Sequence, residues 1–200
     1  VTYKRETSGN AKEAEMKFTI VLGSRNPQGQ TARAADAVFE GLVRAGGHGE
    51  RVFLPQLQIE RCRQCDERGW GLCREEGRCV IEDDFAALVA QIKDADAVVL
   101  ANPVYFGDLS ESMRALTDRL RRTCMHPAGK AGLEGKPAVG VCVAGGGGGG
   151  APACTVSLEK VLRTCGLDVV DVVPVRRQNL DMKTQVLQVT GEWLAGLPSS

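Results

Sequence analysis

Four cysteines within eighteen residues, Cys62, Cys65, Cys73 and Cys79, form the densest group of chemically capable side chains in the sequence. Cys62 and Cys65 make a C-x-x-C pair, Cys73 follows after a seven-residue gap, and Cys79 after a further five. Nothing in the chain looks secreted, so this grouping favours soft-metal ligation over disulfides, and thiolates suit either zinc or an iron–sulfur cluster. The spacing leaves that choice open. Cys124, Cys142, Cys154 and Cys165 are scattered on apolar-patterned elements and read as core packing. A second group, Ser24, Arg25, Asn26, Gln28, Gln30 and Thr31, lies between an apolar run and a helical pattern. A helix N-terminus presents N–H groups without partners and a partial positive charge, so hydroxyls, amides and one cation placed before it can complete a phosphate pocket. The loop is neither a Walker A loop nor a G-x-G-x-x-G fingerprint. A third group, Pro103, Val104, Tyr105, Phe106 and Gly107, puts two adjacent aromatic residues in a loop, where they suit contact with a planar ring. The six glycines at 145–150, including Gly145, Gly146, Gly147 and Gly150, offer backbone that can approach such a ring closely. His48 and His126 have no acid or nucleophile nearby, and no side chain is assigned as a catalytic acid, base or nucleophile.

The elements that position these groups follow from apolar periodicity. Phe18 to Leu22 reads as a strand buried on both faces and ended by Gly23. Thr31 opens a helix carrying Ala35, Val38, Phe39, Leu42 and Val43, stopped by Gly46 and Gly47. Arg51 to Leu54 reads as a second strand, followed by a long irregular region over 56–80; connections of that length inside a compact domain are usually functional. Glu82 to Asp94 is a helix, Ala97 to Ala101 a strand, and Asp108 with Glu111 is placed to cap a helix bearing Met113, Leu116 and Leu120. His126 to Lys136 reads as a surface connection and Val139 to Ala144 as a strand. Leu158, Val161, Leu162 and Cys165 mark a helix, Val169 to Val173 a strand, and Met182, Val186, Val189 and Trp193 a last helix. Five strands alternating with five helices predict an α/β domain with a parallel sheet covered on both faces. The unusual loops all follow strands, which brings them to one edge of such a sheet.

The chain of 200 residues is 43% apolar, enough for one domain with a sizeable core. Residues 1–15 are polar and read as a flexible arm, leaving 16–200 as a single domain with a Cys-rich insertion at 56–80. Lys plus Arg equals Asp plus Glu at 25 each, so no bulk charge points to nucleic acid or an anionic membrane. With no membrane-length apolar run and no signal-peptide pattern, the expected location is cytoplasmic.

GSRNPQGQT resembles the G-S-x-R-x-x-[SGN]-x-[ST] loop of the flavodoxin-like NAD(P)H-dependent FMN reductase family, which wraps the terminal phosphate of FMN. NPVYFGDLSESMRALTDR resembles that family's s-P-v-Y-f-x-s-x-s-x-x-[KR]-x-x-x-D-R segment, with Arg114, Asp118 and Arg119 on its charged positions. A Gly-rich loop beside the flavin ring matches the run at 145–150. Cys79-Val-Ile-Glu-Asp-Asp is similar to the C-v-i-x-D-D ending of the iron–sulfur flavoprotein branch, whose cysteines follow C-x2-C-x2-C-x4-7-C; the gap DERGWGL departs from that spacing. The resemblance implies a three-layer sandwich with sheet order 2-1-3-4-5, FMN bound by the three loops, and a [4Fe-4S] cluster on the four cysteines, with zinc or no metal as alternatives. It also implies NAD(P)H or a ferredoxin-like donor, a quinone, flavin or oxygen-type acceptor, and a homodimer or homotetramer. A flavodoxin-like electron carrier without turnover of its own and a flavin-free module holding structural zinc are the rival readings.

Overall fold

The structure, a computed structural model, describes residues 15–197. The expected N-terminal arm, apart from its last residue, lies outside the described residues. Five strands, β1 (Lys17–Leu22), β2 (His48–Phe53), β3 (Ala97–Pro103), β4 (Pro137–Ala144) and β5 (Asp168–Arg176), form one parallel sheet in the order β2-β1-β3-β4-β5. The helices are α1 (Gln30–Arg44), α2 (Leu72–Glu75), α3 (Phe85–Asp94), α4 (Glu111–Thr123), α5 (Pro127–Lys130), α6 (Ala151–Thr164) and α7 (Leu180–Ala195). Every residue of β3 and β4 is buried, as a central parallel strand covered on both faces requires.

Two cores flank the sheet. One joins Phe18, Ile20, Val99 and Val141 to α1 and α7, and the other joins Val21, Leu100 and Cys142 to α3, α4 and α6. Helices α1 and α7 cross at Gly41 and Gly191; a Cβ on Gly41 would lie 2.0 Å from the Gln188 carbonyl oxygen, so only glycine permits this approach. The four scattered cysteines are all buried in the second core. Hydrogen bonding between Cys142 and Cys154, together with burial, pushes the Cys142 thiol well above the ordinary range, and Cys165 against Cys124 is raised in the same way.

Several sequence expectations are corrected. β3, β4 and β5 run further than their most apolar stretches, because ladder pairing continues into β3 at Pro103 and into β5 through Pro174, whereas β2 starts earlier, at His48, and ends at Phe53, leaving Leu54 in a 3-10 turn. Pro174 is tolerated because β5 is an edge strand. The cap of α4 is Ser110, whose Oγ accepts from Met113 N–H, in place of Asp108 or Glu111. The connection at 126–136 is only partly superficial: it contains α5, and Leu133 and Lys136 are buried. The stripe Met182, Val186, Val189 and Trp193 lies on the exposed side of α7, whereas Leu180, Leu187, Gly191 and Leu194 face the core. Both stripes have helical spacing, and the glycine contact with α1 decides which one turns inward.

Candidate functional site

The C-terminal ends of the strands bring the polar loop, the aromatic loop and the glycine run together at one edge. In the first loop, Asn26 Oδ1 accepts from Gln28 N–H at 2.9 Å and its carbonyl oxygen accepts from Gly29 N–H at 3.1 Å, which turns the chain into α1. Arg25, Asn26 and Gln28 are exposed, Ser24 and Gln30 are half-buried, and Thr31 is buried in the first helical turn. Gly29 supplies no side chain to cap α1, so the N–H groups of Gln30, Thr31 and Ala32 open toward the edge. Gln30 Oε1 is buried with no hydrogen-bond partner among the described residues, and it lies beside Gly145. A buried unpartnered acceptor is rare in a native protein and marks a place where a donor belongs.

The aromatic loop is a two-residue hairpin-like turn. Tyr105 and Asp108 exchange backbone hydrogen bonds at 3.1 and 3.0 Å, and both central residues have positive φ, Phe106 at 50° and Gly107 at 80°. A bulky residue in the left-handed region costs about 1–3 kcal/mol. Phe106 is nevertheless fully exposed and Tyr105 half-exposed, so neither ring pins the loop to the helix below. Pro103 is buried at the end of β3, while Val104 packs on the core and donates its N–H to the Val143 carbonyl at 2.9 Å.

The glycine run is held at defined points. Gln178 Nε2 donates to the Gly147 carbonyl at 3.1 Å, and a Cβ on Gly148 would meet Gln178 Oε1 at 2.3 Å. Gly150 has φ of 80°, and its Cβ would lie 2.7 Å from Gly107 Cα, so the glycine and aromatic loops touch there. At Gly146, Gly147 and Gly149 a Cβ would meet nothing within 4 Å, which leaves open space along the run.

Beneath these loops lies a buried polar hub that motif reading missed. Asn102 Oδ1 accepts from Ser110 N–H at 3.0 Å and lies 3.0 Å from Ser110 Oγ, and its Nδ2 donates to the Pro103 carbonyl at 2.7 Å and to Cys154 Sγ at 3.4 Å. Ser110 Oγ is also 3.0 Å, and Ser112 Oγ 3.2 Å, from the Gly23 carbonyl oxygen. The hub thus ties the first loop to the third and to α6 below the glycine run. Its sequence signal was a polar residue ending a wholly apolar strand.

The long connection after β2 places Cys62, Cys65, Cys73 and Cys79 around one cavity, shared with Trp70, Arg119 and Arg122. Among the described residues no three Cys, His, Asp or Glu side chains are grouped tightly enough to hold a metal ion. Zinc needs its four ligands converged on one point about 2.3 Å away, whereas a cubane presents separate corners to separate thiolates. Four thiols around one cavity that Arg63, Arg119 and Arg122 also line form a soft, anionic ligand set once deprotonated, with cationic side chains beside it. The DERGWGL insertion gives the rim its form: Gly71 packs on Cys65, where a Cβ would lie 3.1 Å from Cys65 Cβ, and Arg122 lies 4.8 Å from the Trp70 ring centroid while donating to the Gly69 carbonyl. Burial pushes the Cys73 thiol up, against opposing effects of the Gly71 N–H and Arg122.

The three charged residues of the α4 segment also acquire roles. Arg114 pairs with Asp108 on the aromatic loop, Asp118 with Arg121, and Arg119 with Asp83 beyond the last cysteine. Burial acts to raise the Asp83 carboxyl, but the Arg119 pair and the N–H groups of Glu60 and Phe85 outweigh it and hold the carboxyl below its usual range. A depressed folded pKa contributes stability that is complete above the unfolded value of about 3.9 and is lost as pH falls through the folded one. Asp83→Asn is therefore expected to lose about 3 kcal/mol at pH 7, and the gap to wild type should narrow below pH 4. Urea unfolding of both proteins across that range checks this; a gap constant with pH would contradict it.

A five-stranded doubly wound sheet with its distinctive loops at the reversal between β1 and β3 defines a flavodoxin-like protein. The chain belongs to the NADPH-dependent FMN reductase family, whose model matches residues 16–179. An iron–sulfur flavoprotein of Methanocaldococcus jannaschii is 32% identical over 106 residues, 53% of this chain and 52% of that protein. One from Archaeoglobus fulgidus is 32% identical over 105 residues, 52% of this chain and 46% of its own length. The chain thus spans about half the length of the curated relatives it matches. Among solved structures, an NAD(P)H:quinone oxidoreductase from Methanothermobacter marburgensis superposes with a TM-score of 0.66 over 94% of this chain and all of that one; its 20% identity speaks for the fold. Among the described residues no helix is long and apolar enough to cross a membrane.

Proposed function

We propose that this chain is an FMN-dependent oxidoreductase of the iron–sulfur flavoprotein type, with NAD(P)H or a ferredoxin-like protein as donor and a quinone, flavin or oxygen-type acceptor. The observation that carries this reading is the cradle at the sheet edge: an uncapped α1 terminus, the unpartnered Gln30 Oε1 and a glycine run with open space beside it. Ser24, Arg25, Asn26, Gln28 and Thr31 would hold the FMN phosphate end through N–H groups, hydroxyls, amides and one cation, while Gln30 would give its backbone N–H there and accept at Oε1 from a hydroxyl of the FMN ribityl chain. Pro103 to Gly107 and Gly145, Gly146, Gly147 and Gly150 would line the ring, with Gly107 and Gly150 fixing the distance between their loops. FMN, when bound, supplies hydride and single-electron chemistry. Around it this chain orients and shields the ring; the Asn102 hub keeps the three loops at fixed spacing.

Cys62, Cys65, Cys73 and Cys79 would hold a [4Fe-4S] cluster, and the support is the cavity they share with Arg63, Arg119 and Arg122 and the likeness to iron–sulfur flavoproteins. The phosphate assignment is tested by Arg25→Ala combined with Thr31→Ala. Loss of a charged and a neutral hydrogen bond, together about 2 kcal/mol, should raise the FMN dissociation constant about thirtyfold with little change in Tm. Flavin fluorescence titration reads this, and an unchanged affinity would overturn the assignment.

A further inference from the structure

We infer that Arg119 is a positioning residue of the four-cysteine site, its Nε–H donating a hydrogen bond to sulfur at that site, with Cys79 Sγ as the receiving ligand. This rests on the iron–sulfur reading above and adds to it a residue that sets the site's reduction potential.

A guanidinium carries five N–H groups, and the Arg119 side chain is only 1% exposed, so each must find an acceptor inside the protein. Nη1 donates to Asp83 Oδ2 at 2.6 Å and to the Glu60 carbonyl at 3.1 Å. Nη2 donates to Asp83 Oδ1 at 2.9 Å and to the Ile81 carbonyl at 3.3 Å. The fifth, Nε–H, is buried and has no partner among the described residues. Leaving a charged donor unsatisfied in the interior costs more than any of its bonds gains, so the position implies a missing acceptor.

The group cannot turn to find one elsewhere. Its carbon lies 4.2 Å from the Phe85 ring centroid, and the Asp83 fork fixes its plane. It lines the cavity of the four cysteines, and Cys79 is the thiol that faces its charge and comes within reach of a side-chain hydrogen bond, without Nε–H closing one of good geometry. A neutral thiol is a weak acceptor, whereas a metal-bound thiolate is a strong one. The unsatisfied Nε–H of Arg119 and the charge that a cluster would bring to Cys79 therefore match. Arg122 is different: its guanidinium lies over Trp70 and already donates to Gly69. A hydrogen bond to a ligand sulfur favours the more negative, reduced state and raises the potential.

The test reconstitutes wild type, Arg119→Lys and Arg122→Lys anaerobically and assays iron and sulfide, unfolding temperature and the midpoint potential. Lysine keeps the charge that faces Asp83 but has no Nε–H at that position. Arg119→Lys is expected to load like wild type with its potential lowered by about 59 mV, a tenfold change in the one-electron equilibrium. Because Arg119→Lys can fail to fold, wild type grown with 15N-arginine supplies a second measurement. Pulsed EPR of its reduced cluster should show a 15N coupling that persists in Arg122→Lys. An unshifted potential in a loaded Arg119→Lys, or no 15N coupling in wild type, would overturn the role of Nε. A wild type that takes up no iron overturns the iron–sulfur reading itself, and this role with it.

Discussion

Replacing Gly150 with valine is expected to raise the FMN dissociation constant more than a hundredfold while the sheet stays folded. Gly150 combines φ of 80° with direct backbone contact: its Cβ would lie 2.7 Å from Gly107 Cα and 3.0 Å from Gly107 N. A branched side chain in that conformation adds about 1–3 kcal/mol of strain. The greater effect is displacement, because backbone at Gly107 cannot yield as a flexible side chain would. Gly107 sits in the tight turn closed by Tyr105 and Asp108, so the aromatic loop must move as a unit away from the glycine run. The two walls assigned to the flavin ring would then lose their spacing. Gly150 precedes α6 and lies outside both cores, so far-ultraviolet dichroism should be unchanged. FMN titration of folded Gly150→Val checks this; wild-type affinity would show that the ring does not depend on the contact between these loops.

The second large effect is expected at Cys73. Cys73→Ala should lose nearly all iron and acid-labile sulfide and bind FMN as wild type does. Cys73 lies on α2 behind the inserted turn, where Gly71 holds the neighbouring segment against Cys65. It is the cysteine whose spacing departs from the family pattern, so it is the most discriminating ligand to remove. Burial raises its thiol pKa, which favours the neutral form until a metal displaces the proton. Iron and sulfide assays with flavin content on one sample separate the two sites. Full iron retention would show that the ligand set is wrong, and joint loss of iron and flavin would show that the sites are not independent.

What was legible in the sequence divides along physical lines. Phe18 to Leu22 and Ala97 to Ala101 announced buried parallel strands because residues covered on both faces leave no polar alternation to misread. The loops carried their chemistry in residue type, and topology alone brought them to one edge. The strand order rested on the family resemblance, since alternation by itself does not choose an order. Helix α7 was found from its period, but its period did not say which face turns inward: two apolar stripes competed, and the decisive contact was Gly191 against Val38 and Leu42 on a distant helix. The roles of Arg119 and Asn102 were hidden for the same reason. Arg119 meets Asp83 across 36 positions, and Asn102 meets Cys154 across 52, so no local spacing reports either contact. Ser110 displaced the acidic residues as the cap of α4 because its short side chain also serves the buried hub, where a carboxylate would have been desolvated.

The most direct test of the central claim is an anaerobic visible absorption spectrum of the purified protein, with iron assayed on the same sample. Flavin bands on a broad brown shoulder, with about four irons per chain, are the predicted result. A colourless protein that takes up no FMN when the cofactor is added would contradict the account.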